Sequence, residues 1–292
     1  MHQQDATAKL NRKNVIASSL EGALSRDDFS FVLQPQIDLQ TREFSGTEVL
    51  LRWSDSPFGM TSPGEFIPVA EEFGLMPRLG EWVFANICKM LQSWQETGWR
   101  LPDRLAVNVS TNQLATPGFR DFLLRTAGQH NLFPCSFELE VSESALMTEE
   151  HVETLKLLRE DGFTITVDDF GTGFTSLAQF RNFTADKLKI DISFVHDMHR
   201  DDASYAIVST IVAMAERLAM TVVAEGVETE KQASTLRKLG CDQAQGFLFS
   251  RPLNAEVYRS DWLTRAVLQF PGDTDRGSNP DFKRLQPVRR QL

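Results

Sequence analysis

From Phe29 to Leu263 short β-branched apolar runs alternate with longer segments whose apolar residues recur at helical spacing, and this alternation restricts the fold more than any other feature. Strands separated by helices pair in parallel and are covered by those helices. Leu105 to Val109, Phe137 to Val141, Phe163 to Val167, Asp186 to Asp191, Thr221 to Glu228 and Gln245 to Pro252 read as strands. Between them lie the helical stripes Leu79, Val83, Ile87, Leu91 and Trp94; Phe122 and Leu123 behind Thr116 and Pro117; Val152, Leu155 and Leu158; and Val208, Ile211, Ala215 and Leu218. Ser62, Pro63 and Glu65 form one capping-box signal, and Thr229 with Gln232 forms another. Two earlier strands are expected from Phe29 to Pro35, which Pro35 ends, and from Glu43 to Trp53, with Gly46, Glu48 and Arg52 on one face. Such a sheet is either a closed barrel or an open, doubly wound one. The segment Gly171, Thr172, Gly173, Phe174, Thr175, Ser176 lacks the final glycine of a dinucleotide-binding turn, which favours the barrel.

Buried parallel strands are ordinarily continuous apolar runs. Here Glu48, Asn108, Glu140, Asp168, Lys189 and Glu225 each stand in or at the end of a different strand, where barrel enzymes carry their chemistry. Scattered through a core, these groups would each carry a desolvation cost, so convergence on one another or on a metal is the economical reading. After Gly162, the strand Phe163 to Val167 delivers the adjacent carboxylates Asp168 and Asp169, which are expected to end it, to a loop containing Gly171 and Gly173. Two neighbouring carboxylates raise each other's pKa unless a cation sits between them, and oxygen ligands select Mg²⁺, Mn²⁺ or Ca²⁺. Taken alone, the same residues also suit a solvated turn.

Other features exclude more than they assign. A formal charge of −10 disfavours a nucleic-acid polymer, although a small phosphorylated ligand remains compatible. The most apolar region, Ala206 to Ala224, is interrupted by Glu216 and Arg217, so no membrane span is expected. The polar Met1 to Asn14 lacks a signal core, and the cytoplasm is the expected compartment. Cys88, Cys135 and Cys241 match neither a disulfide framework nor a zinc site and are expected to be buried thiols. His2, His130 and His151 are isolated, His196 and His199 read as solvent-facing, and Trp82, Trp94 and Trp99 read as core. Ile16, Leu20 and Leu24 form a narrow helical stripe, suited to a linker from an upstream domain or to a first helix packed on the body. The expected division is an N-terminal linker or helix over 1–28, a barrel over 29–265 and a disordered tail over 266–292, where Pro271 to Pro280 is rich in breakers.

In order, Glu48-Val-Leu-Leu-Arg-Trp53, Asn108-Val-Ser, Glu140-Val-Ser-Glu143, Asp168-Asp-Phe-Gly-Thr-Gly173, Lys189-Ile-Asp191, Glu225-Gly-Val-Glu228 and Gln245-Gly-Phe-Leu-Phe-Ser-Arg-Pro252 resemble the motifs of the EAL-domain family of cyclic-di-GMP phosphodiesterases. The likeness spans roughly Phe29 to Leu263. It implies an α/β fold, a modified (β/α)8 TIM-like barrel with an antiparallel first strand, and metal-dependent hydrolysis of the second messenger cyclic-di-GMP to linear diguanylate (5'-pGpG). The resemblance assigns catalysis to Glu48, Lys189 and Glu225. It assigns metal binding to Glu48, Asn108, Glu140, Asp168, Asp169, Glu225 and Gln245. Lys189 and Glu225 would flank the attacking water, and Gln34, Arg52 and Asp191 would touch the dinucleotide. Glu143 would brace the loop Phe170 to Ser176, and Glu228 would support the second metal. Two Mg²⁺ or Mn²⁺ ions are implied, with Ca²⁺ inhibitory, together with a homodimer and an upstream regulatory domain. Val49 stands for the signature alanine, Leu33 for a common tyrosine, Ile192 for a common arginine, and Phe174 with Thr175 for the usual Tyr-Ser; none removes a ligand. The alternatives are a catalytically silent cyclic-di-GMP receptor and a docking module.

Overall fold

A computed structural model describes residues 2–26, 28–171 and 185–263. The expected tail beyond 265 and the loop residues 172–176 lie outside the described residues. The barrel strands are β1 (Phe29–Asp38), β2 (Phe44–Ser56), β4 (Leu105–Val109), β5 (Phe137–Ser142), β6 (Thr164–Phe170), β7 (Lys187–Ile190), β8 (Thr221–Ala224) and β9 (Gln243–Ala244). Pairing runs β1-β2-β4-β5-β6-β7-β8-β9 and returns to β1, which closes the barrel. β1 is antiparallel to both neighbours, β2 and β9, while the intervening pairings from β2 to β9 are parallel. This is the TIM-like barrel with a reversed first strand. Two short strands, β3 (Gly59–Thr61) on β2 and β10 (Leu253–Asn254) on β1, lie outside the ring.

The helices are α1 (His2–Arg26), α2 (Pro63–Glu72), α3 (Met76–Glu96), α4 (Thr111–Leu114), α5 (Phe119–Gln129), α6 (Glu149–Glu160), α7 (Ile192–Asp197), α8 (Asp202–Arg217), α9 (Glu230–Leu239) and α10 (Ala255–Trp262); all but α4, α7 and α10 stand where stripes or capping signals were expected. The outward faces of the strands bury Val107, Leu139, Ile165, Leu188 and Val222 beneath residues such as Ile87, Leu155, Val208 and Leu236. A second, smaller core joins Ile16, Ala17, Leu20 and Ala23 of α1 to Phe29, Trp53, Phe66 and Leu79. The α1 stripe therefore packs on the body, reinforced by Lys13 Nζ at 2.5 Å from Glu72 Oε2.

Five local expectations are corrected. Pro35 does not end β1, which continues to Asp38. It faces Thr47, whose N–H turns away to Arg104 O at 3.2 Å, so no donor is required of Pro35 on that side. On its other side Pro35 falls between the Leu33 pairing with β10 and the Ile37 pairing with β9, a gap that tolerates the missing N–H. Asp168 and Asp169 do not end β6 either, because a bulge absorbs the second aspartate and the ladder resumes at Phe170 opposite Ile190. The last barrel strand is β9, not Gln245 to Pro252; that stretch turns, with Phe249 and Ser250 N–H groups both donating to Gly246 O. Its turn hugs the backbone, since a Cβ on Gly246 would lie 2.2 Å from Val227 O.

The other two corrections concern single side chains. Ser62 caps α2 without a side-chain hydrogen bond, and the other half of the box is lost because the Glu65 carboxylate accepts from the Arg12 guanidinium, including Nη2 at 3.1 Å. The Thr229 and Gln232 capping box forms as expected. Cys88 and Cys241 are buried, but Cys135 is exposed in the 3₁₀ turn Pro134–Ser136, before the apolar strand begins.

Candidate active site at the strand ends

Strand alternation sends every second side chain into the barrel, where alternate strands contribute to a common layer. β2, β5 and β7, with the residue just past β9, supply Glu48, Glu140, Lys189 and Gln245, all buried. The fully buried Lys189 Nζ lies 2.8 Å from Glu225 Oε1, 3.1 Å from Asp168 Oδ2, 3.2 Å from Glu140 Oε1 and 3.7 Å from Glu48 Oε1. Asn108 Nδ2 donates to Glu48 Oε1 at 3.1 Å, and Gln245 Nε2 donates to Glu48 Oε2 and, at 3.0 Å, to Gln34 Oε1. The six polar strand residues thus converge, centred on the lysine.

The bulge in β6 changes what Asp169 can reach. Successive strand residues normally face opposite sides of a sheet. Asp169 has φ 54°, a left-handed conformation in which Asp is enriched, and Asp168, Asp169 and Glu225 each bring a carboxylate oxygen within 4.8 Å of the others. Asp169 also has the Asp191 carboxylate as a neighbour that raises its pKa, and Asp191, the N-cap of α7, accepts from Ser193 N–H at 2.9 Å. Gly171 N–H donates to Glu143 Oε2 at 3.1 Å, so the end of β6 is tied to the 3₁₀ turn Glu143–Met147 that follows β5.

Charge crowding appears in the titration of the cluster. Burial, then Asp168 and Asp191, push Asp169 up to about 6. Burial, with Asp168 and Glu48 and against Lys189, pushes Glu225 up to about 8. Burial drives Glu140 far above the carboxylate range in spite of Lys189, while the surrounding carboxylates overcome burial and hold Lys189 well above its ordinary value. The donor set fits hard divalent cations. It is composed of oxygens, and Glu140 Oε2 and Gln245 Oε1 are buried without a hydrogen-bond partner among the described residues. The arrangement can hold cations, keep a charged ammonium beside them and accept a proton at a carboxylate.

These groups open into a cleft of about 730 Å³, lined by Glu48, Arg52, Asn108, Glu140, Asp168, Asp169 and Glu225 and, on the other side, by Pro63, Ile67 and Pro68 of α2 and Met76 and Leu79 of α3. Burial lowers the pKa of the Arg52 guanidinium, with Glu48 opposing. Gln34 is held by its bond to Gln245 and by Nε2 donation to Ser250 O at 3.0 Å. Glu228 is exposed beyond β8, and its backbone N–H donates to Gln232 Oε1 at 3.0 Å.

Sequence reasoning overlooked a second buried layer. Glu138, Thr166 and Lys187 lie inside the barrel, with Lys187 Nζ 2.6 Å from Glu138 Oε2 and 3.2 Å from Gln243 Oε1. The signal was available, since Glu138 and Lys187 stand two residues before Glu140 and Lys189 and share their faces.

A family model described as EAL domain matches residues 17–252. The chain is 40% identical over 249 residues to an uncharacterised protein of Mycobacterium tuberculosis, covering 85% of this chain and 40% of that one. It is 39% identical over 242 residues to the bifunctional diguanylate cyclase/cyclic di-GMP phosphodiesterase MucR of Pseudomonas aeruginosa, covering 81% of this chain and 35% of that one. The chain thus spans less than half the length of these curated relatives. Among solved structures, the PaMucR phosphodiesterase in complex with c-di-GMP superposes with a TM-score of 0.78 at 38% identity, covering 83% of this chain and 98% of that one. Strand-end chemistry, barrel topology and these likenesses agree: the chain belongs to the EAL-domain family.

Proposed function

We propose that the chain hydrolyses cyclic-di-GMP to linear 5'-pGpG with Mg²⁺ or Mn²⁺. The observation that carries this reading is Lys189 held among four carboxylates beside the cluster of Asp168, Asp169 and Glu225, at the open end of a barrel. Glu48, Asn108, Glu140 and Asp168 would hold one cation, and Asp168, Asp169 and Glu225, with Gln245 nearby, would hold a second. Bound there, two hard cations supply activation of water and stabilisation of the leaving oxygen in a phosphodiester displacement. Lys189 holds its proton and offers positive charge to the developing phosphorane oxygens, and Glu225, 2.8 Å away, is the group placed to accept the water's proton. Arg52, which lines the cleft, would bind the dinucleotide together with Gln34 and Asp191, while Glu143 holds the backbone at Gly171. Glu228 supports the side of the second cation.

Supporting this, relatives of similar sequence carry the names cyclic di-GMP phosphodiesterase and, as a structure, c-di-GMP complex. The catalytic unit is residues 29–265, preceded by 1–28, which joins it to a regulatory domain, and followed by a tail over 266–292. The relatives' greater length is consistent with such a regulatory domain. It works as a homodimer in the cytoplasm.

The test is turnover of cyclic-di-GMP with Mg²⁺, Mn²⁺ or Ca²⁺, following the linear dinucleotide by chromatography. Product with Mg²⁺ or Mn²⁺, and suppression by Ca²⁺ or chelator, is the expected result. A dimer that binds the dinucleotide and releases no product would replace this reading with that of a receptor.

A further inference from the structure

Two residues before Glu48, Glu140, Lys189 and Gln245, the same four strands carry Gly46, Glu138, Lys187 and Gln243. This lower tier is built around an ion pair: Glu138 and Lys187 are buried, and their charged atoms lie 2.6 Å apart. Thr166 Oγ1 donates to Glu138 Oε1 at 2.6 Å, and Lys187 Nζ donates to Gln243 Oε1 at 3.2 Å, so both ends of the pair are held. Lys187 lies in backbone register with Thr166, and Thr166 with Glu140, yet its ammonium meets Glu138, one step lower on β5. Strand tilt explains the offset, because a level perpendicular to the barrel axis drops along the register from strand to strand. The result is a two-rung ladder, Lys187 with Glu138 below and Lys189 with Glu140 at 3.2 Å above. None of these lower residues reaches the cleft.

We propose that Glu138 and Lys187 are positioning residues for the reaction: by neutralising each other they leave Lys189 no carboxylate below it and Glu140 no ammonium below it, so the catalytic lysine is aimed at the strand ends. This inference rests on the hydrolytic reading of the upper tier. A neutral pair would leave Lys189 and Glu140 as undisturbed from below as the intact ion pair does, whereas a pair broken on one side would not. Remove Lys187, and the uncompensated Glu138 carboxylate attracts the Lys189 ammonium downward, away from Asp168 and Glu225. Remove the charge of Glu138, and Lys187 turns to Glu140, placing a second ammonium among the carboxylates that would hold a cation.

The two lesions have opposite signatures toward a divalent ion. Lys187→Met frees the Glu138 carboxylate to draw the competing Lys189 ammonium away from the cation-holding carboxylates, so Mn²⁺ measured by calorimetry binds about tenfold tighter, whereas Glu138→Gln weakens it by about as much. Both lower kcat for cyclic-di-GMP by about tenfold or more with KM changed by no more than about twofold, and the double variant Glu138→Gln/Lys187→Met returns kcat and Mn²⁺ affinity toward native values. A purely structural pair would shift Mn²⁺ affinity in the same direction in both variants, in step with the melting temperature, and that outcome overturns the proposal. So does a double variant no better than the singles. Glu138→Asp, which keeps the charge and withdraws it from Lys187, serves where a single variant does not fold and is expected to lower kcat less than Glu138→Gln. Absence of linear product from the native chain would reject the hydrolytic reading alone. The position of Lys189 Nζ in a crystal structure of Lys187→Met then decides the pair's role: displacement toward Glu138 supports it, and an unmoved ammonium overturns it.

Discussion

Lys189 Nζ approaches Glu225 Oε1 to 2.8 Å although the two residues come from neighbouring strand ends with no described side chain of opposite sign nearer to either. The pair is the electrostatic centre of the site, and each partner is costly without the other. Replacing Lys189 by Met leaves Glu48, Glu140, Asp168 and Glu225 facing one another without a cation. Breaking such a buried set from one side costs about 3–5 kcal/mol. Lys189→Met is therefore expected to melt well below the native chain when metal-free and to gain more in Tm from added Mn²⁺. Scanning calorimetry with and without Mn²⁺ checks both, and an equal Mn²⁺ gain in the two proteins would contradict the account.

The pH dependence of metal uptake follows from the same crowding. Burial first, and neighbouring carboxylates after it, raise Asp169 to about 6 and Glu225 to about 8, so the metal-free protein keeps protons that a cation must displace. Affinity for Mg²⁺ or Mn²⁺ should rise with pH through this window and level off above about 8, with protons released on binding. The stability of the metal-free protein moves the other way. An unfolded Glu releases its proton near pH ~4.3 whereas folded Glu225 holds it to about 8, so this contribution is present below the unfolded value and is lost as pH rises through the folded one. Calorimetry in buffers of different ionisation enthalpy counts the protons; a pH-independent affinity between 6 and 8 would refute the assignment.

Most of the barrel and its polar centre was legible because both obey simple periods. Glu48, Asn108, Glu140, Asp168, Lys189 and Glu225 stood out as charge and amide where covered strands should be apolar, and the structure gathers them. What escaped involved backbone geometry that side-chain identity does not encode. Pro35 reads as a terminator until the direction of Thr47 N–H is known, and the Gln245 to Pro252 run reads as a strand until Gly246 is seen pressed against Val227. The convergence of Asp169 with Asp168 depends on a positive φ that no alternation pattern predicts. Glu138 and Lys187 were missed for the opposite reason: their period was plain, but each reads as a solvated strand residue until the barrel closes around it.

Asp169→Asn should separate chemistry from binding. The substitution preserves shape while removing a charge, and replacing one acceptor oxygen with an NH₂ donor, in the cluster with Asp168 and Glu225. Because metal-assisted activation supplies much of the rate, turnover with Mg²⁺ is expected to fall by about two orders of magnitude or more. Binding of cyclic-di-GMP in Ca²⁺ is expected to stay within about fivefold, since Arg52, Gln34 and Asp191 are themselves unchanged. Equal losses in both would place Asp169 in ligand binding instead.

Glu143→Ala tests whether the loop after β6 is held by a single carboxylate. Glu143 is buried, and its Oε2 accepts from Gly171 N–H at 3.1 Å, two residues beyond Asp169. Gly171 has φ 96°, and a Cβ there would meet Phe194 Cε2 at 3.0 Å, so the backbone turns tightly at this point. Without the carboxylate the Gly171 N–H loses its acceptor, a loss of about 1–3 kcal/mol concentrated where Asp169 is oriented. The expected result is a kcat lowered by about tenfold or more with dinucleotide affinity changed far less, and a weaker Mn²⁺ affinity, because Asp168 and Asp169 no longer keep their mutual geometry. Glu143→Gln, which keeps an acceptor oxygen within reach of the same N–H, should recover most of the loss. Steady-state kinetics beside Mn²⁺ titration of the two variants distinguishes bracing from catalysis. Full activity in Glu143→Ala, or no recovery in Glu143→Gln, would show that the tie between Glu143 and Gly171 does not govern the site.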